Sequence, residues 1–172
     1  MKRLLVVLAV IVSGLVVAGN SGADIKNRIG IGANYWKNLD DIDVKDFDDS
    51  GLSYYLSYQL IPASLLKFEL DVEMMQDGYA GSDDTVFSPQ GFIILGAGIY
   101  AGLGIGTYYT DGDFSSDPFF TLRAGLDIHV LPYIWLDVNA NYRFEDWNDI
   151  SDVTDDVSTD TIMLGAAVRL QF

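Results

Sequence analysis

The sequence predicts an all-β protein, an eight-stranded antiparallel up-and-down transmembrane β-barrel that follows a cleaved signal peptide. Three observations predict it. Eight stretches alternate apolar and polar residues with a period of two. The connections between them are alternately long and short. The polar faces carry opposite charges and glycines, where a water-facing strand carries scattered polar residues.

Period-two alternation puts successive side chains on opposite faces of a strand. Arg28 to Lys37 sets Ile29, Ile31, Ala33 and Tyr35 on one face. Leu52 to Ile61 does the same with Leu52, Tyr54, Leu56, Tyr58 and Leu60. Leu65 to Gln76 (LLKFELDVEMMQ) alternates most sharply, with Lys67, Glu69, Asp71 and Glu73 opposite Leu66, Phe68, Leu70, Val72 and Met74. Val86 to Gly96 is a fourth strand whose register is hidden by the apolar run Phe92-Ile93-Ile94-Leu95. Ile99 to Thr110 opposes Ile99, Ala101, Leu103 and Ile105 to Tyr100, Gly102, Gly104 and Gly106. Phe119 to Leu131 opposes Phe120, Leu122, Ala124, Leu126, Ile128 and Val130 to Arg123, Gly125, Asp127 and His129. Tyr133 to Trp147 opposes Ile134, Leu136, Val138, Ala140, Tyr142 and Phe144 to Asp137, Asn139, Asn141, Arg143 and Glu145. Thr161 to Phe172 closes the series, with even-numbered residues apolar.

The tight connections are Pro62-Ala63-Ser64, Ala97-Gly98 and Pro132; the long ones hold eighteen acids against one base, Lys45. Long loops at one end and short turns at the other describe a meander. An even strand number returns both termini to the turn end.

The N-terminus opens with Lys2 and Arg3, continues apolar from Leu4 to Ala18, and reaches the small-x-small site Ser21-Gly22-Ala23. This reads as a signal peptide over residues 1–23, with residues 24–172 as the barrel domain. The alternative is an N-terminal anchor, but the apolar stretch is short of the ~20 residues that a helical span needs. The formal charge is −15; loss of Lys2 and Arg3 leaves eight basic residues against 25 acids, or −17. So negative a chain lacks the basic face that nucleic acid requires. Cysteine is absent, which says little about the compartment.

A soluble eight-stranded barrel with an apolar interior would also alternate. The polar face argues against it. Lys67, Glu69, Asp71, Glu73, Arg123, Asp127, His129, Asp137, Arg143, Glu145 and Arg169 form an ordered set of both signs, interspersed with Gly30, Gly32, Gly102, Gly104, Gly106, Gly125 and Gly165. Opposite charges and small residues suit a narrow interior. The apolar faces carry aromatics toward both strand ends, as a bilayer's two interfaces favour. Strands cross hydrocarbon only as a closed barrel, because every backbone polar group must be satisfied within the protein.

The stretch RAGLDIHVLPYIWLDVNANYRFEDW, followed by a last strand ending in Phe172, resembles the small eight-stranded outer-membrane barrels of the OmpA/OmpX type. The resemblance spans residues 24–172 and rests on architecture and a loose terminal motif. It implies that Gly165, Leu170 and Phe172 form a signal read by the barrel-assembly machinery, with Ala167 standing where the family often has glycine. No peptidoglycan-binding domain follows Phe172, so an anchoring role of that kind is not expected.

No catalytic set is expected. His129, the only histidine, faces inward near the turn end as a hydrogen-bonded lumen residue. It has Asp127 beside it but no inward serine to complete a nucleophilic arrangement. The loop acids Asp46, Asp48, Asp49, Asp155 and Asp156 are weak candidates for divalent cations, shared with lipopolysaccharide phosphates, though their spacing does not match the calcium loop. No motif calls for a cofactor. The resulting expectation is a monomeric, non-enzymatic outer-membrane barrel of a Gram-negative-type bacterium. Its termini are periplasmic, its acidic loops extracellular, and its lumen plugged by ion pairs. A narrow channel or small hydrophobic-ligand conduit is the second reading; an enzyme acting on membrane lipid is the third.

Overall fold

The computed structural model describes residues 25–38, 50–76, 85–110, 112–115, 118–144 and 160–172. The expected signal peptide lies outside the described residues, as do Glu145 and the loop acids Asp46, Asp48, Asp49, Asp155 and Asp156.

Ten strands are present among the described residues: β1 (Lys26–Asn38), β2 (Ser50–Ala63), β3 (Leu66–Met75), β4 (Val86–Gly96), β5 (Ile99–Gly106), β6 (Tyr109–Thr110), β7 (Asp113–Phe114), β8 (Phe119–Leu131), β9 (Ile134–Phe144) and β10 (Thr161–Gln171). The eight long ones form a ring in chain order, each antiparallel to its neighbours. β10 pairs with β1 from Arg28↔Gln171 to Asn38↔Thr161, and β3 pairs with β4 from Leu66↔Leu95 to Met75↔Val86. No long strand therefore keeps an unpaired edge. Backbone bonds between Asn27 and Phe172 (2.9 and 3.2 Å) continue the closing seam to its turn end.

Alternation settles which face is which. On β3 the residues from Lys67 to Met75 read buried and exposed in strict turn, and β10 does the same from Thr161 to Leu170. The exposed set is apolar: Ile31 is 68% exposed, Ile99 78% and Leu164 61%. The buried set is charged. This inverts a soluble barrel and matches a wall whose outer solvent is hydrocarbon.

β4 resolves the register that the sequence hides. Val86, Ser88, Gln90, Phe92 and Ile94 are buried, while Phe87, Ile93 and Leu95 face out. Phe92 and Ile94 face inward because glycines on the adjacent strand leave room for them. A Cβ on Gly102 would lie 2.9 Å from Ile94 Cγ1, and one on Gly104 would run into the Phe92 ring. Gly106 likewise faces the inward Phe119 ring, Gly32 faces Tyr55, and Gly125 faces Tyr100.

Two expected strands differ in extent. The stretch Ile99 to Thr110 is broken at Thr107-Tyr108. Thr107 N donates to Pro89 O (3.2 Å), but Pro89 has no N–H to return, so the ladder lapses there. β6 resumes it at Phe87↔Tyr109 alone and folds onto β7. Tyr133 belongs to a turn and not to β9. It has φ 68° and follows Pro132, the pattern of a type II turn. Phe144, expected on the apolar face of its strand, is buried, its ring 5.7 and 5.9 Å from those of Tyr142 and Phe120.

The glycine–ring complementarity makes a measurable difference between two glycines. Gly104→Val would force Phe92 or the wall to move and is expected to lower stability by about 1–3 kcal/mol. Gly91→Ala places its Cβ outward, with its nearest neighbour, Leu70 Cδ2, 3.6 Å away. It is expected to be neutral. Urea unfolding from lipid vesicles compares the two; equal midpoints would show that the inward glycines are not making room.

Candidate functional site: the charged lumen

The inward face of β3 is the spine of the site. Because side chains alternate, Lys67, Glu69, Asp71, Glu73 and Met75 all point inward, in that order from the turn end to the loop end. All five are buried. A charge out of water is costly unless it is paired and its remaining lone pairs are satisfied. The other strands supply the partners.

At the turn end, Asp127 Oδ2 accepts from Arg28 NH1 (2.7 Å) on β1 and from Lys67 Nζ (2.5 Å). In the middle, Glu69 faces Arg123 NH1 (2.6 Å) and Arg169 NH2 (3.1 Å), and it also accepts from Gln59 Nε2. Arg123 NH2 reaches Asp71 (3.0 Å), and Arg169 NH1 lies 2.6 Å from Asp137. Toward the loop end, Glu73 accepts from Arg143 NH2 (2.8 Å), Gln90 Nε2 (2.9 Å), Asn34 Nδ2 (2.6 Å) and Ser53 Oγ (2.5 Å). Both of its oxygens thereby accept two bonds each.

β9 adds a relay at every second residue. Arg123 Nε donates to Asn141, Asn141 to Asn139, and Asn139 to Asp137, at 2.6, 2.7 and 2.5 Å. Tyr100 OH also donates to Asp137 (2.6 Å). These bonds matter because Asp127 and Asp137 are direct cross-strand partners. Like charges opposite one another repel, and here each is held by its own cation.

The cations are packed on rings as well. Arg123 lies 3.7 Å from the Phe92 centroid, Arg28 3.8 Å from Trp135, and Arg143 4.2 Å from Phe119. Beyond Glu73, toward the loops, the interior turns apolar: Trp36, Met75, Val86 and Met163 form one buried cluster.

Of the residues expected to face the lumen, Lys67, Glu69, Asp71, Glu73, Arg123, Asp127, Asp137, Arg143 and Arg169 are buried in this ladder. Among the described residues it balances five cations against five carboxylates. His129 is a correction. It is exposed at the turn-end mouth and stacks on Trp135 (4.7 Å, 25°), and Asp127 is engaged by Arg28 and Lys67 instead. Its strand extends past the lumen floor, so an inward direction there leads to the mouth. Arg28, Asn34, Tyr55, Gln59 and Tyr100 were missing from the expected set. Each sits at an inward place of its own alternation, and that was the signal that could have found them. Of the expected assembly signal, Gly165 is inward, where a Cβ would meet Asn139 Oδ1 at 2.8 Å, and Leu170 and Phe172 are outward and exposed.

The ladder is expected to behave as a coupled unit. Arg143→Met removes the guanidinium beside buried Glu73 and should cost about 3–5 kcal/mol, and Glu73→Gln, which removes the carboxylate beside Arg143, should cost a comparable amount. The double variant should recover at least half of the summed loss in a urea-unfolding cycle. Strictly additive losses would mean that the two residues contribute independently.

No protein-family profile matches the chain, and no curated protein does. Solved structures do. The crystal structure of neisserial surface protein A is 16% identical and superposes with a TM-score of 0.53, covering 86% of this chain and 97% of that one. The N-terminal β-barrel domain of Pseudomonas aeruginosa OprF is 12% identical, with a TM-score of 0.50 and coverage of 84% and 97%. At such identities the likeness carries the fold alone. The ring of eight antiparallel strands, its apolar exterior and these neighbours together give the chain the fold of the small outer-membrane β-barrels of the OmpA/OmpX type.

Proposed function

We propose that this protein is a resident of a bacterial outer membrane, with a closed lumen and a structural or surface-interaction role. In this reading the acidic loops face outward and the short turns and both termini face the periplasm. The protein is monomeric and surrounded by outer-membrane lipid and lipopolysaccharide.

One observation carries the closed lumen: cross-lumen ion pairs join β1, β3, β8, β9 and β10 at three successive levels. An ion path would have to part buried pairs in a low dielectric, which is expensive at each level. The inward glycines do not favour the channel reading, because rings of Phe92, Phe119, Tyr55 and Tyr100 occupy the room beside them. The enzyme reading draws nothing from His129, which stacks on the Trp135 ring while Asp127 is engaged by Arg28 and Lys67.

Planar-bilayer recording tests this reading. The refolded protein should leave the bilayer silent. Discrete conductance steps that change when Arg143 is replaced would overturn it.

Biogenesis gives a second test. The proposed assembly signal places Phe172 and Leu170 on the outward face of the seam strand. Phe172→Ala should slow insertion into vesicles catalysed by the assembly machinery more than it slows spontaneous insertion. Equal slowing of both would remove the signal role.

A further inference from the structure

The two ends of the lumen differ. Among the described residues, the loop end carries the apolar cluster of Trp36, Met75, Val86 and Met163. The turn end opens as a cavity of about 700 Å³ whose lining includes Lys26, Arg28, Lys67, Asp127, His129 and Trp135. Volumes of this size are typical of sites for small organic ligands.

Its charge is the reverse of the chain's. Arg28 and Lys67 share one oxygen of one carboxylate, Asp127. Lys26 adds a third cation at the exposed rim. Three cations therefore face one carboxylate, in a protein whose formal charge is −15. Asp137 lies opposite Asp127 in the sheet but does not line the cavity; it is fully buried and engaged by Arg169, Tyr100 and Asn139. The middle of the ladder has the complementary imbalance, with Arg123 and Arg169 against Glu69, Asp71 and Asp137. The lumen is balanced as a whole and polarised along its axis.

The cavity also offers a flat wall and directed donors. The Trp135 ring has the Arg28 guanidinium at 3.8 Å and His129 stacked at 4.7 Å. Trp135 Nε1 is buried with no hydrogen-bond partner among the described residues. Arg28 donates through Nε to Gln171 (3.1 Å) and through NH1 to Asp127 (2.7 Å), and neither bond uses NH2. Ile61 and Pro62 supply an apolar side. Cationic surplus attracts anions, and a wall of Trp and Pro accepts a compact apolar body.

We propose that the turn-end mouth is a binding site for small, soluble organic oxyanions, molecules bearing a phosphate or carboxylate on a compact, partly apolar body. Arg28, Lys67 and Lys26 hold the anionic group, and Trp135 and His129 hold the body. The site is built on the turn-end level of the ion-pair ladder, and an anion can bind there whether or not the levels above it conduct, so bilayer recording and this proposal fail separately.

The test is a titration of the folded barrel, ¹⁵N-labelled at tryptophan, in nonionic detergent with phenyl phosphate. The Trp135 indole resonance, assigned with Trp135→Phe, should shift saturably with a midpoint of about 1 mM or below, while that of Trp36 in the loop-end cluster stays in place. Lys26→Gln, at the exposed rim, should weaken binding about fivefold, and Lys67→Met, which leaves the Arg28–Asp127 pair intact, by at least as much. Heat-modifiable migration on gels confirms that both variants are folded. Inorganic phosphate should bind more weakly than phenyl phosphate, and phenol should not shift the resonance. No saturable shift, an equal response to phenol, or unchanged midpoints in both lysine variants would overturn the proposal. A shift produced by phosphatidylglycerol in the micelle and not displaced by phenyl phosphate would assign the site to a lipid headgroup and would overturn it as stated.

Discussion

The rest of the structure depends on the carboxylates on the inward face of β3. Glu69, Asp71 and Glu73 sit at successive inward places of one strand, each fully buried. Left alone they would repel one another and lose their hydration, a combination no folded chain tolerates. Their donors come from strands that are distant in sequence: Arg169 is 100 residues from Glu69, and Arg143 is 70 from Glu73. Those donors reach them only when the ring is closed. Closure and charge satisfaction are thus one event. The ladder also fixes register. A slip of one residue would turn every charge toward lipid. A slip of two would move Arg143 away from the Ser53, Asn34 and Gln90 donors that share Glu73 with it.

The volume of the lumen is set by a second pairing, glycine against ring. An eight-stranded barrel is just wide enough for side chains to fill. Five arginine and lysine side chains, their carboxylates and the Phe92, Phe119, Tyr55 and Tyr100 rings would overfill it if every inward place carried a side chain. The glycines of β5 are opposite Phe92 and Ile94, and Gly125 is opposite Tyr100. Three of these rings lie beside a cation: Phe92 by Arg123, Phe119 by Arg143, and Tyr100 by Lys67 at 5.0 Å. Space and electrostatics are solved by the same residues.

Alternation made most of this legible in advance. Where one face is polar and the other apolar, as on β3 and β10, the strand, its register and its lumen residues follow directly. The pattern lost its meaning where the lumen itself is apolar. Phe92 and Ile94 face inward, so polarity does not separate them from the outward Ile93 and Leu95; only the volume left by Gly102 and Gly104 does. It also failed at the ends. Arg28 and His129 both have inward directions, but one meets Asp127 at the lumen floor and the other lies beyond it. Depth along the axis depends on strand tilt and stagger, which a single strand's sequence does not carry. Ion-pair partners such as Arg169 with Glu69 and Asp137 were likewise out of reach, because they are decided across the lumen and not along a strand.

The two ends of the barrel then acquire different characters from one asymmetry. Above Glu73, among the described residues, the interior holds the apolar cluster of Trp36, Met75, Val86 and Met163, with Arg143 NH1 4.0 Å from Met75 Sδ. Below Glu69 it ends in Arg28 and Lys67 sharing a single carboxylate. On the proposed reading, a charged solute arriving from the turn end meets Lys26 at the rim and then the Arg28–Asp127–Lys67 cluster, which would stop it. An open pore needs attraction that leads onward; here the attraction at the turn end leads to a locked ion cluster. On the proposed reading, the arrangement that closes the lumen also leaves a charged recess at the turn end, where a small anion would be held without being passed through.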